Sequence, residues 1–249
     1  MTIFTTFFGF LWSVICCVFA LGVILINQGA AKWVLLKVGK RMWSDNMMRI
    51  VSGSKAQVTF HDRLEPYEHW PNQAIFIANH SSLLDINASA SAIPQPIVYL
   101  SKDSIRRVPV LGLLNERVGT VFIDRSNPAA AKKSVEQLKK TLEGGISVIV
   151  YPEGTRTKDG NLQAFKKGAF HLALSAQVPI IPLHIHGTRH ALPSDRMYMK
   201  RNPVHVRFGK PLQPPAASDS KALNDFVQRG FQSVQEMKQW HKEHVHTPA

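Results

Sequence analysis

Ala74-Ile75-Phe76-Ile77-Ala78-Asn79-His80-Ser81-Ser82-Leu83-Leu84-Asp85 is the stretch on which the reading of this chain turns. Its first half is an unbroken apolar run, the pattern of a strand buried on both faces of a largely parallel sheet. The strand is expected to end near Asn79. Ser81 or Ser82 then caps a helix that starts at about Leu83. His80 falls just past the strand's C-terminal end, where α/β sheets place their sites.

Working outward, the same kind of run recurs. Candidate strands cover Ala56–Phe60, Ala74–Ala78, Ile97–Leu100, Thr120–Ile123, Ile146–Val150, Ile180–Ile185 and Val204–Phe208. Amphipathic stretches separate them. One begins at Pro128 behind the capping candidates Ser126 and Asn127, shows Ala131, Val135, Leu138 and Leu142 at helical spacing, and stops at Gly144-Gly145. Another covers Phe165 to Ser175. The last starts near Ser218 or Ser220, with Leu223, Phe226, Val227, Val234 and Met237 on one face. Gln213-Pro214-Pro215 reads as the linker into it. Strands alternating with helices predict an α/β domain with a mostly parallel or mixed sheet flanked by helices.

His80 and Asp85 would lie about 140° apart on one continuous helix, at about 100° per residue. A turn at Ser81-Ser82 removes that obstacle and lets the carboxylate reach the ring. Asp on Nδ1–H would leave Nε2 free to accept a proton, which makes a general base. The bland alternative is a capping histidine followed by an acid well placed in a helix's first turn.

Two more strand ends carry charge. Phe122-Ile123-Asp124-Arg125 closes one, and Tyr151-Pro152-Glu153-Gly154-Thr155-Arg156 follows another. Arginine suits bidentate recognition of phosphate. Gly154 permits a sharp turn or a close backbone approach, and Thr155 offers a hydroxyl. Taken singly, either arginine reads as a surface ion pair, Arg125 with Asp124 or Arg156 with Asp159.

In order along the chain, Asn79–Asp85, Phe122–Arg125, Glu153–Arg156 and Val178-Pro179-Ile180-Ile181-Pro182 resemble the four sequence blocks of the glycerolipid acyltransferases, the family that includes the bacterial 1-acyl-glycerol-3-phosphate acyltransferases. The first is similar to the family's NHxxxxD block. The resemblance extends from about residue 79 to residue 182 and implies a glycerol-3-phosphate-acyltransferase-like fold. It further implies His80 as base and Asp85 as its orienting partner, with Arg125 and Arg156 on the acceptor phosphate. Glu153, Gly154 and Thr155 would shape the acceptor site, Val178–Pro182 would support the sheet and the acyl-donor side, and Lys102 would lie near the phosphate or the developing oxyanion. The implied substrates are a lysophosphatidic acid and an acyl-CoA or acyl carrier protein, with no further cofactor. Acyl transfer to another lysophospholipid or lipid alcohol, or a catalytically silent lipid-binding protein, are the competing readings.

Ile3 to Ile26 contains no Asp, Glu, Lys, Arg or His. As a helix it is about 36 Å long, against about 30 Å of hydrocarbon. It lacks the basic start of a secretory signal. Lys32, Lys37, Lys40 and Arg41 follow it, interleaved with Trp33, Val34, Leu35, Leu36, Val38, Met42 and Trp43. That mixture suits a segment at headgroup depth, and the positive-inside rule places the rest of the chain in the cytoplasm. The expected division is a membrane-inserted helix over 1–28, a basic interfacial segment over 29–52 and an acyltransferase domain over 53–249.

The net charge of +13 calls for an anionic partner. No zinc finger, RNP pattern or helix-turn-helix signature points to nucleic acid, and a membrane segment argues for lipid. The only cysteines, Cys16 and Cys17, lie in the apolar run, and there is no GxSxG elbow, so no covalent acyl-enzyme is expected. His184, His186 and His190 lack a nearby thiol or carboxylate at ligand spacing, so no metal is expected there.

Overall fold

The computed structural model describes residues 2–61, 70–123, 128–216 and 219–245. Helix α1 (Thr2–Ile26) covers the expected apolar run and is long and apolar enough to cross a membrane. It does not stand away from the rest. Thr5, Gly9, Cys16, Ala20 and Ile24 are its buried residues, a mostly small-residue stripe at near-helical spacing. That stripe lies against α2 (Gln28–Val34) and α3 (Lys40–Ser52), which are joined by a π-helical turn at Leu35–Gly39. Trp43 Nε1–H donates to Ser13 Oγ at 3.3 Å, and Ala20 and Ile24 pack with Ala31 and Leu35. Phe4, Phe7, Phe8, Phe10 and Val18 stay exposed.

Two of the four cations after α1 bond to backbone carbonyls of the domain. Lys40 Nζ donates to the carbonyls of Ile93 and Gln95 at 2.9 and 2.8 Å, and Arg41 to that of Pro94 at 3.2 Å. They satisfy the carbonyls just past α4 (Leu84–Ala92), a place where cations are favoured. Burial lowers the Lys40 ammonium to about 7. Lys37 instead lies over the half-exposed Trp33 ring, 5.4 Å from its centroid.

All seven expected strands form: β1 (Gln57–Phe60), β2 (Ile75–Ala78), β3 (Ile97–Lys102), β4 (Val121–Ile123), β5 (Ser147–Val150), β6 (Ile180–His186) and β7 (His205–Phe208). They make one sheet in the order β1-β7-β6-β2-β5-β3-β4. The five strands from β6 to β4 are mutually parallel. β7 runs antiparallel to β6, and β1 runs parallel to β7, so the sheet is mixed with its parallel part around β2.

The continuous apolar reading of β2 has a direct cause. Ile75 and Ile77 enter the core on one face, while Phe76 and Ala78 enter the core on the other. The first face is covered by α7 (Pro128–Glu143), α8 (Gly168–Ala176) and α10 (Ser220–His244), the second by α3 and α4. Full burial of Phe76 or Phe170 is worth about 1.5–3 kcal/mol each, so both faces contribute heavily. β2 sits between β5 and β6, with Phe76 opposite Ile149 on one side and Ile181 on the other. The fourth sequence block therefore forms the strand beside the one that delivers His80.

Three short helices were not foreseen: α5 (Asp103–Arg106), α6 (Leu111–Val118) and α9 (Thr188–Ala191). α8 starts three residues later than the expected Phe165, and Phe165 packs into the core ahead of it. The capping candidates Ser126 and Asn127 and the possible helix start Ser218 lie outside the described residues; α10 starts at the other, Ser220, and Asp219 caps it by accepting from Ala222 N–H at 2.8 Å.

Candidate active site

Each strand of the parallel part points the same way, so the segments after β2, β5 and β6 gather along one edge. Asn79 anchors the first of them. Its side chain accepts from Ile185 N–H at 2.7 Å and donates to Ile185 C=O at 3.0 Å, locking the end of β2 to β6. The chain then turns at Ser81-Ser82 as expected, and Ser82 Oγ accepts from Leu84 N–H at 3.1 Å.

That turn brings Asp85 back to His80. Asp85 Oδ2 accepts from His80 Nδ1–H at 2.9 Å, from Ser81 N–H at 2.7 Å and from Ser82 N–H at 2.9 Å. Its Oδ1 accepts from Thr188 Oγ–H at 2.6 Å. The carboxylate is 0% exposed, so these four donors replace the water it has lost. Asp85 thus closes the turn with backbone N–H groups and hydrogen-bonds the imidazole as well. His80 is 17% exposed and makes no hydrogen bond through Nε2 among the described residues. With Nδ1–H committed to the carboxylate, Nε2 carries a lone pair facing outward.

The segment after β5 holds His80 from the other side. The ring stacks on Tyr151, centroids 4.2 Å apart and planes 17° apart. Tyr151's hydroxyl lies 3.1 Å from Ser89 Oγ, which lies 3.2 Å from the Tyr99 hydroxyl. Burial pushes the Tyr151 phenol well above its usual range, so it stays neutral under the ring. Glu153, 3% exposed, accepts from His80 N–H at 2.6 Å and from Gln163 N–H at 2.9 Å. Desolvation raises its carboxyl, and those two N–H groups oppose the shift. Thr157 N–H donates to His80 C=O at 2.9 Å. Glu153 therefore fixes backbone on both sides of Arg156.

Gly154 takes φ +82°, which keeps this turn tight. Thr155 is exposed and Arg156 half-exposed. Arg156 makes no side-chain hydrogen bond or ion pair among the described residues. Asp159, its expected rival partner, is instead taken by Thr157 Oγ–H and by Asn161, which hold its carboxyl well below the usual range. The loop is held further by Arg189, which donates to Lys158 C=O, and by Lys238, which donates to Gly160 C=O. Asp124 and Arg125 lie outside the described residues. Lys102 is the last residue of β3, and its side chain is likewise outside them.

Tyr151's stacking and the Thr188 contact were not read from the sequence. The first had a signal, because an aromatic at a strand end beside His80 can only face the ring or solvent. The second had none, since Thr188 lies beyond the last block and reaches Asp85 only through the sheet.

Five other histidines gather between β6, β7, α9 and α10. His184 Nδ1 faces His241 Nδ1 at 2.8 Å, His186 stacks on His241 with centroids 5.3 Å apart, and His205 and His190 lie beside His186. Arg207 on β7 and Lys238 on α10 add positive charge around them. Desolvation, reinforced by these neighbours, lowers His241 to about 3 and His186 to about 4, and holds His184 well below its usual value. These rings are neutral in the fold and protonate freely only when the chain unfolds. Their contribution is therefore complete above about pH 6.5 and is lost as pH falls toward the folded values. His241 alone, 0% exposed, should cost about 2 kcal/mol of stability at pH 5. The melting temperature in detergent should fall steadily from pH 7 to pH 5, a window above most carboxylates. A flat profile would show that these rings are already solvated.

A family model described as Acyltransferase matches residues 55–186. A coconut (Cocos nucifera) protein named 1-acyl-sn-glycerol-3-phosphate acyltransferase is 34% identical over 166 residues, 66% of this chain and 54% of that one. A Saccharomyces cerevisiae protein of the same name is 29% identical over 231 residues, 90% of this chain and 69% of that one. The chain spans between 54% and 59% of the length of the plant relatives from Cocos and Limnanthes that it matches. The crystal structure of the 1-acyl-sn-glycerophosphate acyltransferase PlsC from Thermotoga maritima has the same fold, with a TM-score of 0.74 over 95% of this chain and 96% of that one at 24% identity.

Proposed function

This chain belongs to the acyltransferase family, and from that premise we propose that it transfers an acyl group from a thioester of CoA or of an acyl carrier protein to the sn-2 hydroxyl of 1-acyl-sn-glycerol-3-phosphate. The observation that carries the reading is the His80–Asp85 hydrogen bond of 2.9 Å with Nε2 left open to solvent. Proteins of that name among its relatives supply the acceptor.

His80 Nε2 takes the proton of the acceptor hydroxyl as its oxygen attacks the thioester carbonyl. Asp85 stabilises the imidazolium that forms. Lys102 or backbone N–H groups receive the charge on the tetrahedral oxygen, a type of interaction worth roughly 3–4 kcal/mol. The intermediate collapses to the ester, the C–S bond breaks, and the thiolate takes the proton back from His80. No covalent acyl-enzyme is formed.

Arg125 and Arg156 hold the acceptor phosphate. Arg156 suits that task because it is half-exposed, lacks an acidic partner among the described residues, and sits on a loop pinned to His80 through Thr157. The apolar face of α1, with Lys32 and Lys37 behind it, keeps the domain of residues 53–249 at a bilayer on its cytoplasmic face, within reach of a lipid acceptor.

Thiol release from oleoyl-CoA by the detergent-solubilised protein tests the reading. Release that depends on added 1-acyl-glycerol-3-phosphate supports it. Release with carrier-protein thioesters only would move the donor, and none with any donor or lysophospholipid would refute it. In the same assay Arg156→Ala should raise the acceptor KM well over tenfold with kcat less affected, since a charge-assisted hydrogen bond is worth about 1.5–3 kcal/mol. An unchanged acceptor KM would take Arg156 out of the phosphate site.

A further inference from the structure

Asp85 uses its two oxygens unequally. Oδ2 gathers three donors from its own turn, while Oδ1 is left to Thr188 Oγ–H at 2.6 Å. Swinging the carboxylate about its Cβ–Cγ bond moves both oxygens, so a donor on Oδ1 adds a second, separate restraint to those on Oδ2. Held at both, the carboxylate keeps one plane, and that plane decides where the imidazole points.

Thr188 is itself firmly placed. It is 0% exposed and opens α9, directly after Gly187 at φ +91°. A side chain at Gly187 would collide with the carbonyl of Pro203, so only glycine lets β6 turn sharply enough here. Asn202 Nδ2–H donates to Gly187 C=O at 3.0 Å, and Asn202 N–H donates to Val51 C=O on α3 at 3.0 Å. At the far end of α9, Leu192 C=O accepts from Ser82 Oγ–H at 2.7 Å. The short helix is thus tied at both ends, and one tie is the residue that follows His80-Ser81.

The geometry points to Thr188 as a positioning residue for the general base: its hydroxyl fixes the plane of Asp85 and, through it, the direction of His80 Nε2. This rests on the acyltransferase reading of the His80–Asp85 pair. Thr188 touches no reacting atom, and its effect passes through Asp85.

The test compares Thr188→Val and Thr188→Ser with the wild type and with His80→Ala in the thiol-release assay. Valine keeps the shape and removes the donor, and serine keeps the donor. Thr188→Val should lower kcat by roughly tenfold to a hundredfold, the size of effect typical when a group orienting a metal-bound histidine is removed. Both KM values should stay within about twofold, because the acceptor and donor sites are untouched. Thr188→Ser should restore most of the loss. A fully active Thr188→Val protein beside an inactive His80→Ala one would overturn this role and leave the base intact. Loss in both Thr188 variants with raised KM and a lowered melting temperature would reduce Thr188 to packing and overturn it too. An active His80→Ala protein would instead sink the general-base reading itself. Independent of any substrate, the His80 Nδ1–H proton signal in histidine-labelled protein should shift or broaden in Thr188→Val and not in Thr188→Ser. An unmoved signal in both would also count against the role.

Discussion

His80→Ala is expected to reduce acceptor-dependent thiol release by about 10²–10⁴-fold while the protein remains folded and still binds its acceptor. The size follows from what the ring alone supplies, a proton acceptor on a side chain that is 17% exposed. Survival of the fold follows from what is left behind. Asp85 Oδ2 keeps the N–H groups of Ser81 and Ser82, and Oδ1 keeps Thr188, so no buried charge is stranded. The losses are one side-chain hydrogen bond and the stack on Tyr151, about 1–2 kcal/mol together. Acceptor binding should persist because the loop carrying Arg156 is tied to the backbone of His80, through Thr157 N–H and Glu153 Oε1, and alanine retains that backbone. Calorimetric titration with 1-acyl-glycerol-3-phosphate and a melting curve, run beside the rate, separate the alternatives. Activity within about tenfold of wild type would mean that another group takes the proton. Lost activity together with lost binding would make His80 part of the acceptor site before it is a base.

The sheet was legible in the sequence because its strands are buried on both faces. Ile75 to Ala78 is a plain apolar run, and Ser147 to Val150 and Ile180 to Ile185 each carry a single polar residue, Ser147 and His184, so all three stand out as apolar runs between turn residues. The strand order was not legible. Nothing local in β7 tells that it turns against β6, since that register is set by packing and by the crossover lengths. The short helices α5, α6 and α9 escaped for a related reason: four to eight residues give too few turns for a periodic signal. Lys40 and Arg41 show a different limit. Their position after an apolar helix reads as lipid-facing charge, yet the approach of α3 to the end of α4 gives them backbone carbonyls instead.

The candidate site divides in the same way. His80, Asp85, Glu153 and the loop of Arg156 lie at strand ends whose positions follow from the strands, so their meeting was foreseeable. What the sequence leaves out is how each is held. Glu153 looks like a ligand-facing acid, but both its oxygens are spent on backbone N–H groups at 2.6 and 2.9 Å. Thr188 looks like any loop threonine until β6 is laid beside β2.

Asp85→Asn should give a folded protein with a large loss of rate, and the reason lies in which donors can turn. The N–H groups of Ser81 and Ser82 are fixed by the backbone and need an acceptor at the Oδ2 position. Asparagine meets them only with its carbonyl oxygen there, which puts its NH2 where Oδ1 stood. The one neighbour at that position is the Thr188 hydroxyl, and a hydroxyl can rotate from donor to acceptor. The backbone donors and the amide nitrogen each keep a partner, and only the second amide hydrogen and the turned hydroxyl hydrogen lose an acceptor, so the melting temperature should move by only a few degrees. The charge is gone, however. An imidazolium a few ångströms from a carboxylate gains about 4 kcal/mol at an effective dielectric of about 20, and that interaction exists only once His80 has taken its proton. Its loss corresponds to roughly 10³ in kcat, within the range for general-base catalysis. Asp85→Ala, which strands all four donors in a site that is 0% exposed, should be both inactive and clearly less stable. Near-normal turnover by Asp85→Asn would make Asp85 a turn-closing residue alone. A collapse in stability equal to that of the alanine variant would mean that Thr188 cannot turn, and that the hydroxyl is held as a donor by more than the carboxylate it meets.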